Sequence, residues 1–247
     1  MDLQGKTVIV TGASSGIGQA ASRAFAAAGA NVVLASRNNE ALAALERELG
    51  SEHALAVATD VAERDQVDSL VEQAVARFGR LDVIVNNAGV GLRASIADLD
   101  PEDFERLFQV NLMGPIYGMQ AAIRAMRKTG GGMIVNISSG TSRVMVPILG
   151  GGYPALKRAL EIMSDYARAE LVGDGIKVLV VLPYLTDTNF GKNALGGKGQ
   201  PVSDFAAMRR NLPPAHSAEF VAERIVEGVR NEETEISLSP QRAGQAS

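Results

Sequence analysis

Short apolar runs alternate with longer alanine-rich segments along the chain, and this alternation restricts the possible fold more than any other feature. The runs are rich in β-branched residues and lie at 7–11, 31–36, 54–59, 82–86, 133–138, 177–182 and 234–238. Most are apolar at consecutive positions, which is typical of parallel strands buried on both faces. Strands separated by helices imply right-handed βαβ units. The sequence predicts an α/β fold, with one domain over 1–247 and a seven-stranded, mostly parallel, doubly wound sheet flanked by helices.

Proline and glycine mark the ends of several predicted elements. Asp100-Pro101 is a helix start and Gly29 a helix stop. Residues 187–215 are rich in Gly, Asn and Pro and are long for a connection between neighbouring elements. Such a loop often covers a binding site, so the sequence predicts a substrate lid there, with a surface excursion as the alternative.

Composition excludes several classes of function. The net charge of −4 and the lack of a long basic run argue against nucleic acid and anionic membranes as partners. Cysteine is absent, and only His53 and His216 could supply imidazole, so no metal site is predicted and both histidines are expected at the surface. No signal peptide or membrane span is evident, and a cytoplasmic protein is expected.

A glycine cluster follows the first predicted strand. In "TVIVTGASSGIGQA", Gly12, Gly16 and Gly18 lie where that strand turns into a helix. Glycine allows a tight turn there and lets a phosphate approach the amides at the helix N-terminus. The spacing is neither Gly-x-Gly-x-x-Gly nor a Walker P-loop, and a plain tight turn is the alternative. After the first strand of an alternating α/β chain, the cluster favours a Rossmann-type dinucleotide site.

The end of the second strand indicates which dinucleotide is bound. Enzymes that prefer NAD usually carry a carboxylate about 20 positions after the glycines. This chain has Ser36 and Arg37 there. A guanidinium can bind a 2′-phosphate through two charge-assisted hydrogen bonds, whereas a carboxylate would repel it. The sequence therefore predicts NADP, with a solvated surface arginine as the alternative.

Five motifs occur in one order: "TGASSGIG", "NNAG" at 86–89, Asn111 in "VNLMG", "NISS" at 136–139 and "YPALK" at 153–157. Together they resemble the short-chain dehydrogenase/reductase family, in its compact single-domain branch, over nearly the whole chain. The resemblance implies that Tyr153 is the catalytic acid/base and that Lys157 binds the nicotinamide ribose and lowers the tyrosine pKa. It implies that Ser139 binds the substrate oxygen, with Ser138 as the second candidate for this role. It also implies that Asn111 holds a water in a proton relay.

The resemblance also implies the cofactor and substrate contacts. Asp60 and Val61 match a pair that contacts adenine, and Asn87, Ala88 and Gly89 match a turn beside the adenosine. The full predicted cofactor set is Gly12, Ser14, Ser15, Gly16, Ile17, Gly18, Ser36, Arg37, Asn38, Asp60, Val61, Asn87, Ala88, Gly89, Tyr153, Lys157, Pro183, Thr186 and Thr188. The predicted substrate pocket contains Ser139, Tyr184 and Gly91. The family also implies a homodimer or homotetramer formed through long helices at about 101–128 and 152–173.

The spacing of Tyr153 and Lys157 suits this chemistry. Residues four apart share one helix face, and Pro154 is tolerated in the first turn of a helix. A free tyrosine has a pKa near ~10, and a nearby ammonium favours the phenolate.

Two departures from the family pattern are unresolved by the sequence. Tyr184 stands where relatives carry glycine, and it either narrows the substrate pocket, adds a second hydroxyl for substrate recognition, or packs under the long loop. Gly150-Gly151-Gly152 precedes Tyr153, and it either leaves room for bulky substrates or relieves strain.

Three functions remain open at this point. The first is an NADP-dependent oxidoreductase that interconverts a small-molecule ketone and its secondary alcohol. The second is a 3-oxoacyl thioester reductase, for which Arg124, Arg127 and Lys128 could bind a carrier protein. The third is an NADP-binding sensor or scaffold without turnover, which would have no need of Tyr153 and Lys157.

Overall fold

Every predicted strand forms within one residue of its predicted ends. The computed structural model describes residues 1–146, 150–196 and 214–239. The strands are β1 Thr7–Thr11, β2 Asn31–Ser36, β3 Ala54–Ala58, β4 Val83–Asn86, β5 Gly132–Ile137, β6 Ile176–Leu182 and β7 Glu235–Ser237. Their order is β3-β2-β1-β4-β5-β6-β7, and all neighbouring pairs are parallel. The predicted seven-stranded, doubly wound sheet is confirmed.

Helices connect these strands and cover both faces of the sheet. They are α1 Gly16–Ala27, α2 Asn39–Leu49, α3 Arg64–Phe78, α4 Pro101–Phe108, α5 Gly114–Met126, α6 Gly152–Glu170 and α7 Ala218–Asn231. The α4 helix begins as predicted, because the Asp100 side chain accepts a hydrogen bond from the Glu102 amide at 2.8 Å and Pro101 needs no partner for its nitrogen.

Alternate side chains of each central strand enter two separate cores. On β1, Val8 and Val10 pack with α1 and α7 residues such as Phe25 and Ile225. Ile9, between them, enters the opposite core formed with α3 and α5. Burial on both faces explains why the strands read as continuous apolar runs.

The predicted long helix at 101–128 is interrupted. A π-helical segment, Gln109–Met113, separates α4 from α5. The side chain of Asn111 is fully buried in this segment and forms two hydrogen bonds with the Val90 backbone, at 2.9 and 2.7 Å. Such wide turns often mark functional sites in helices, and this one directs an amide side chain inward.

The surface prediction for His216 is wrong, although His53 is exposed. His216 is buried because its ring stacks on Phe220 at 4.6 Å and its Nε2 lies 2.9 Å from the Ser239 carbonyl oxygen. Its backbone also pairs with Thr186 as an isolated bridge. His216 lies between Pro213-Pro214-Ala215 and Ser217-Ala218, and no pattern in this stretch indicates the packing.

Across the three described ranges, no helix is both long and apolar enough to cross a membrane. Within the same ranges, no three His, Asp or Glu side chains cluster closely enough to hold a metal ion.

Candidate active site

The candidate site lies where the strand order reverses. From β1 the chain adds β2 and β3 on one side of the sheet, and then returns to add β4 on the other. The loops after β1 and β4 therefore diverge and leave a crevice, which is the usual ligand site of an open α/β sheet. The Asn87 side chain joins the two loops by donating to the Thr11 carbonyl oxygen at 2.8 Å.

The glycine turn has no space for side chains. Gly12 has a φ of +68°, and a Cβ there would lie 2.9 Å from Nδ2 of Asn87. A Cβ on Gly18 would overlap the Gly12 carbonyl oxygen. Ser15 is the N-cap of α1, and its side chain makes no capping hydrogen bond. The first amides of α1 therefore face the crevice without a side-chain partner, and this bare turn fits a dinucleotide pyrophosphate.

The other glycine-turn residues in the predicted set flank this cradle. Gly16 also has a positive φ, +53°, and a Cβ there would lie 3.1 Å from the Thr188 methyl group. Ser14 and Ile17 are partly buried on either side of it.

The residues after β2 form a polar rim at the outer end of the crevice. Ser36 is buried, and its Oγ accepts from the Asn38 amide at 3.1 Å. Asn38 caps α2 by accepting from the Ala41 amide at 3.1 Å. The Arg37 side chain is 58% exposed and lies 3.6 Å from the Asp60 carboxylate. An exposed pair of this kind contributes little energy, so the guanidinium is available to another anion.

The turn after β4 connects the crevice to the predicted catalytic residues. The amides of Asn87 and Ala88 both donate to Oγ1 of Thr11 at 3.0 Å. Gly89 follows, and a Cβ there would lie 2.9 Å from Oδ1 of Asn111 and 3.8 Å from Nζ of Lys157. On the β3 side of the crevice, Asp60 accepts from the Ala62 amide and Val61 packs against Gly114.

The four predicted catalytic residues converge at the inner end of the crevice. Ser139 lies two residues after the end of β5, and its side chain is hydrogen-bonded to Tyr153. Lys157 lies one turn further along α6, with its Nζ 5.8 Å from the Tyr153 ring centroid. The ammonium donates to the Ile137 carbonyl oxygen at 2.8 Å. Asn111 lies behind this pair, on the far side of Gly89.

Burial dominates the ionisation of the tyrosine and lysine. It raises the pKa of Tyr153 to about 12, although the hydrogen bond with Ser139 acts in the opposite direction. Burial also lowers the pKa of Lys157 to about 8. Burial and Ser139 are the two causes of the Tyr153 shift in this structure, so the expected effect of Lys157 on the tyrosine pKa stays a prediction. The ammonium contacts the Ile137 carbonyl and lies beside the phenol ring.

Ser138 and Ser139 follow the end of β5, and both contact α6, at different residues. Ser138 is buried, and its Oγ donates to the Glu161 carboxylate at 2.7 Å. Ser139 is the serine that contacts Tyr153, and its Oγ is 2.9 Å from Oγ1 of Thr141.

The segment after β6 crosses the mouth of the cleft. The Pro183 carbonyl accepts from the Gly140 amide at 2.9 Å, and the Thr186 hydroxyl donates to the Tyr184 carbonyl at 2.8 Å. Further along, Leu195 forms an isolated parallel bridge with Leu92. Of the predicted lid, 187–196 and 214–215 are described, and 197–213 lie outside the described residues.

Phe190 closes the described part of the cleft. Its ring centroid lies 5.7 Å from that of Tyr153. A Cβ on Gly91 would lie 3.2 Å from the Phe190 ring, so the predicted pocket glycine lies directly beneath it. Tyr184 instead meets the buried His216 edge-on, with ring centroids 6.1 Å apart. This contact favours the packing interpretation of Tyr184.

The three glycines before Tyr153 differ in their surroundings. Gly150 has a φ of +70°, and a Cβ there would overlap the Ala94 carbonyl oxygen. A Cβ on Gly152 would lie 2.9 Å from the Leu92 side chain. At Gly151 the nearest atom is 3.6 Å away, on Ile96. Tight packing therefore accounts for Gly150 and Gly152, whereas Gly151 is open.

Replacing Gly150 by alanine is expected to lower the free energy of unfolding by at least ~2 kcal/mol, because the new side chain adds backbone strain to an overlap. Gly151→Ala is the matched control, and its expected change is within about 0.5 kcal/mol. Denaturant unfolding monitored by circular dichroism measures both. Equal stability of the two variants would contradict this account of the glycines.

The proposed carrier-protein patch is partly neutralised within the chain. Arg124 pairs with Asp68, and Arg127 pairs with Asp174 at 2.7 Å. Lys128 is exposed beside them.

Three residues of the site were missing from the sequence prediction: Thr11, Phe190 and Glu161. Thr11 receives both amides of the β4 turn. Phe190 covers Tyr153 from a loop 37 positions away, and no periodicity indicates such a contact. Glu161 did have a detectable pattern, because it follows Tyr153 and Lys157 at intervals of four on the same helix face.

Comparisons with known proteins agree with this geometry. The short chain dehydrogenase family model matches residues 6–197. Dehydrogenase/reductase SDR family member 7B of Mus musculus is 33% identical over 243 residues, which cover 96% of this chain and 74% of the mouse protein.

Two solved structures share the fold over almost their whole length. The 3-ketoacyl-(acyl-carrier-protein) reductase from Brucella melitensis, complexed with NADH, has a TM-score of 0.85 and 26% identity, and covers 96% of this chain and 97% of its own. The alcohol dehydrogenase from Thermococcus sibiricus, complexed with 5-hydroxy-NADP, has a TM-score of 0.81 and 27% identity, and covers 96% and 98%. The family match, the relatives and the sheet together establish that this chain is an oxidoreductase of the short-chain dehydrogenase family, whose members use a nicotinamide cofactor.

Proposed function

We propose that this chain is an NADP(H)-dependent carbonyl reductase and secondary-alcohol dehydrogenase acting on a small-molecule substrate. The observation that carries the proposal is the convergence of Ser139, Tyr153, Lys157 and Asn111 at the inner end of one crevice. Two hydroxyls, a buried cation and a buried amide are the groups needed to polarise a carbonyl and supply it with a proton.

In this proposal the crevice would hold the whole dinucleotide. The amides of the first turn of α1 would bind the pyrophosphate, and Lys157 would bind the nicotinamide ribose. Asp60 and Val61 would contact the adenine. When bound, the nicotinamide supplies or accepts the hydride.

The protein side chains orient the substrate and move the proton. The Ser139 and Tyr153 hydroxyls donate hydrogen bonds to the carbonyl oxygen of the substrate. With its pKa raised to about 12, Tyr153 is protonated at neutral pH and therefore suited to act as the general acid of reduction. Lys157 and Asn111 lie behind it and would return a proton from water to the phenol.

A panel of ketones and aldehydes with NADPH tests the proposal, with oxidation of the cofactor followed at 340 nm. Turnover with at least one carbonyl compound, lost in a variant without the Tyr153 hydroxyl, is the expected result. Tight NADPH binding without any turnover would favour the sensor or scaffold function instead.

The preference for NADP is expected to depend on Arg37. In Arg37→Asp, a carboxylate replaces the guanidinium that would bind the 2′-phosphate, so the Kd for NADPH should rise about a hundredfold or more. The Kd for NADH should change less than threefold. Fluorescence titration at fixed ionic strength measures both constants.

Arg47→Asp is the matched control, because it makes the same change in net charge at an exposed position. Arg47 lies on the last turn of α2. This variant should leave both constants within twofold. Equal NADPH and NADH affinities in the wild type would refute the proposed role of Arg37.

A 3-oxoacyl thioester reductase is a second candidate, favoured by the likeness to the Brucella reductase. The ion pairs of Arg124 and Arg127 weigh against a carrier-protein site on that side. Comparing kcat/KM for a carrier-bound 3-oxoacyl thioester and for its short pantetheine analogue separates the two. A strong preference for the carrier-bound form would favour this candidate.

We also propose that the protein assembles as a homodimer or homotetramer through α6. Ile162, Met163 and Tyr166 are exposed on this helix, at 46%, 43% and 67%. Light scattering of the purified chain tests this, and a monomer at micromolar concentration would refute it.

A further inference from the structure

Polar side chains follow one face of α6 and meet the end of β5 at each turn. The contacts are Tyr153 with Ser139, Lys157 with the Ile137 carbonyl at 2.8 Å, Glu161 with Ser138 at 2.7 Å, and Ser164 with Asn136 at 2.8 Å. The first two belong to the proposed catalytic set. Glu161 comes next along the same face, and the proposed reaction gives it no role.

The Glu161 carboxylate accepts hydrogen bonds from four side chains, although its own side chain is only 2% exposed. Oε1 accepts from the hydroxyls of Ser138, at 2.7 Å, and Ser142. Oε2 accepts from Arg143 at 3.1 Å and from Arg158 at 2.7 Å. A buried carboxylate with this many donors is well satisfied.

Its ionisation follows from these contacts. Burial alone would raise the pKa of Glu161, but the hydrogen bonds from Ser142, Ser138, Arg158 and Arg143 outweigh burial and hold the pKa below its usual value. Glu161 is therefore a carboxylate at neutral pH and accepts hydrogen bonds at both oxygens.

These contacts lie on both sides of Ser139 in the chain. Ser138 precedes it, and the Ser142 hydroxyl that reaches Glu161 also lies 2.6 Å from the Ser139 carbonyl oxygen. Arg143 adds a second connection to Glu161 at 3.1 Å, whereas its outer ion pair with Glu235 on β7 is exposed and contributes little energy. The loop at 138–143 is thus held by the helix that carries Tyr153.

We propose that Glu161 is a positioning residue: its carboxylate fixes the loop at 138–143 against α6 and so sets the Ser139 hydroxyl against Tyr153. This inference rests on the proposed function. Glu161 itself touches neither of the two hydroxyls, so it acts on the reaction through Ser138 and Ser142. Small displacements of an orienting group can cost up to about a hundredfold in rate.

Glu161→Gln tests the inference, because it keeps the size of the side chain and removes one acceptor oxygen and the charge. With a carbonyl substrate and NADPH, kcat should fall between about tenfold and a hundredfold. The KM for NADPH should stay within twofold, because the glycine turn and Arg37 are distant in the chain and are not contacted by Glu161.

The pH dependence of alcohol oxidation supplies a readout that a loss of stability would not change. Oxidation needs the phenolate of Tyr153, and the hydrogen bond from Ser139 lowers the pKa of that phenol. Weakening this bond should move the rising limb of kcat/KM to higher pH in Glu161→Gln.

Glu235→Gln is the matched control, since it removes the outer carboxylate on Arg143 and leaves the serine contacts of Glu161 in place. Its kcat and pH profile should match the wild type. If Glu161→Gln does not fold, Ser142→Ala removes one of the same contacts and should reproduce part of the fall in kcat.

Hydrogen exchange of the peptide at 138–144 tests the positioning without any turnover. Faster exchange there in Glu161→Gln, but not in Glu235→Gln, is expected. Unchanged exchange, or an active wild type with unchanged kcat in Glu161→Gln, would overturn the inference alone. A folded wild type that binds NADPH and turns over no carbonyl would instead overturn the proposed function.

Discussion

Replacing Tyr153 by phenylalanine is expected to lower kcat/KM for carbonyl reduction by about a thousandfold, within the range typical of a lost general acid. The change removes only the hydroxyl that is hydrogen-bonded to Ser139, and the ring can keep its contact with Phe190. Steady-state kinetics with NADPH measure the loss. The Kd for NADPH should change less than threefold, because the phenol is proposed to act on the substrate oxygen.

Tyr166→Phe is the control for this change. Tyr166 lies on the same helix, is 67% exposed and is outside the cleft, so its variant should keep full activity. Near-normal turnover in Tyr153→Phe would exclude Tyr153 as the acid and with it the proposed mechanism.

The strands and the shared helix face of Tyr153 and Lys157 could be predicted from the sequence because each leaves a local pattern. Burial on both faces forces continuous apolar runs, so the ends of all seven strands lie within one residue of their predicted positions. Tyr153 and Lys157 share a helix face at a spacing of four, and that spacing is visible without a structure.

Other features depend on residues that are distant in the chain, and the sequence could not supply them. The pKa of Tyr153 rises because the cleft buries the phenol, and Phe190 reaches it from the loop after β6. His216 is buried by Phe220 and Ser239, and no pattern at His216 indicates either contact. The π-helical turn around Asn111 likewise depends on hydrogen bonds with Val90, 21 positions earlier.

Replacing Lys157 by methionine is expected to have two separate effects, one on activity and one on stability. The first is a loss of at least about a hundredfold in kcat/KM, because the cation that would bind the ribose and favour proton release from Tyr153 is gone. The KM for NADPH should rise as well, in contrast to Tyr153→Phe.

The second effect is a changed dependence of stability on pH. Burial lowers the pKa of Lys157 from 10.5 to about 8 in the folded state, so between these values the unfolded chain binds more protons than the folded one. Stability contributed by this group therefore rises as the pH increases from about 8 to about 10.5, and below pH 8 the penalty for a buried cation is complete. A shift of this size corresponds to roughly 3 kcal/mol.

The wild type should accordingly gain about 3 kcal/mol relative to Lys157→Met between pH 7.5 and pH 10.5, measured as the difference in denaturant unfolding free energy. Comparing the two proteins at each pH cancels most contributions from other groups, including Tyr153, which titrates at higher pH in the fold. Lys128→Met is the control, because Lys128 is exposed. The unfolding free energy of this variant should change with pH in the same way as that of the wild type. If the unfolding free energies of Lys157→Met and the wild type changed with pH in the same way, the Lys157 ammonium would be as well solvated in the folded protein as in the unfolded chain. Water in the cleft would then solvate the Tyr153 phenolate as well, so burial could not raise the pKa of Tyr153 and keep the proposed acid protonated.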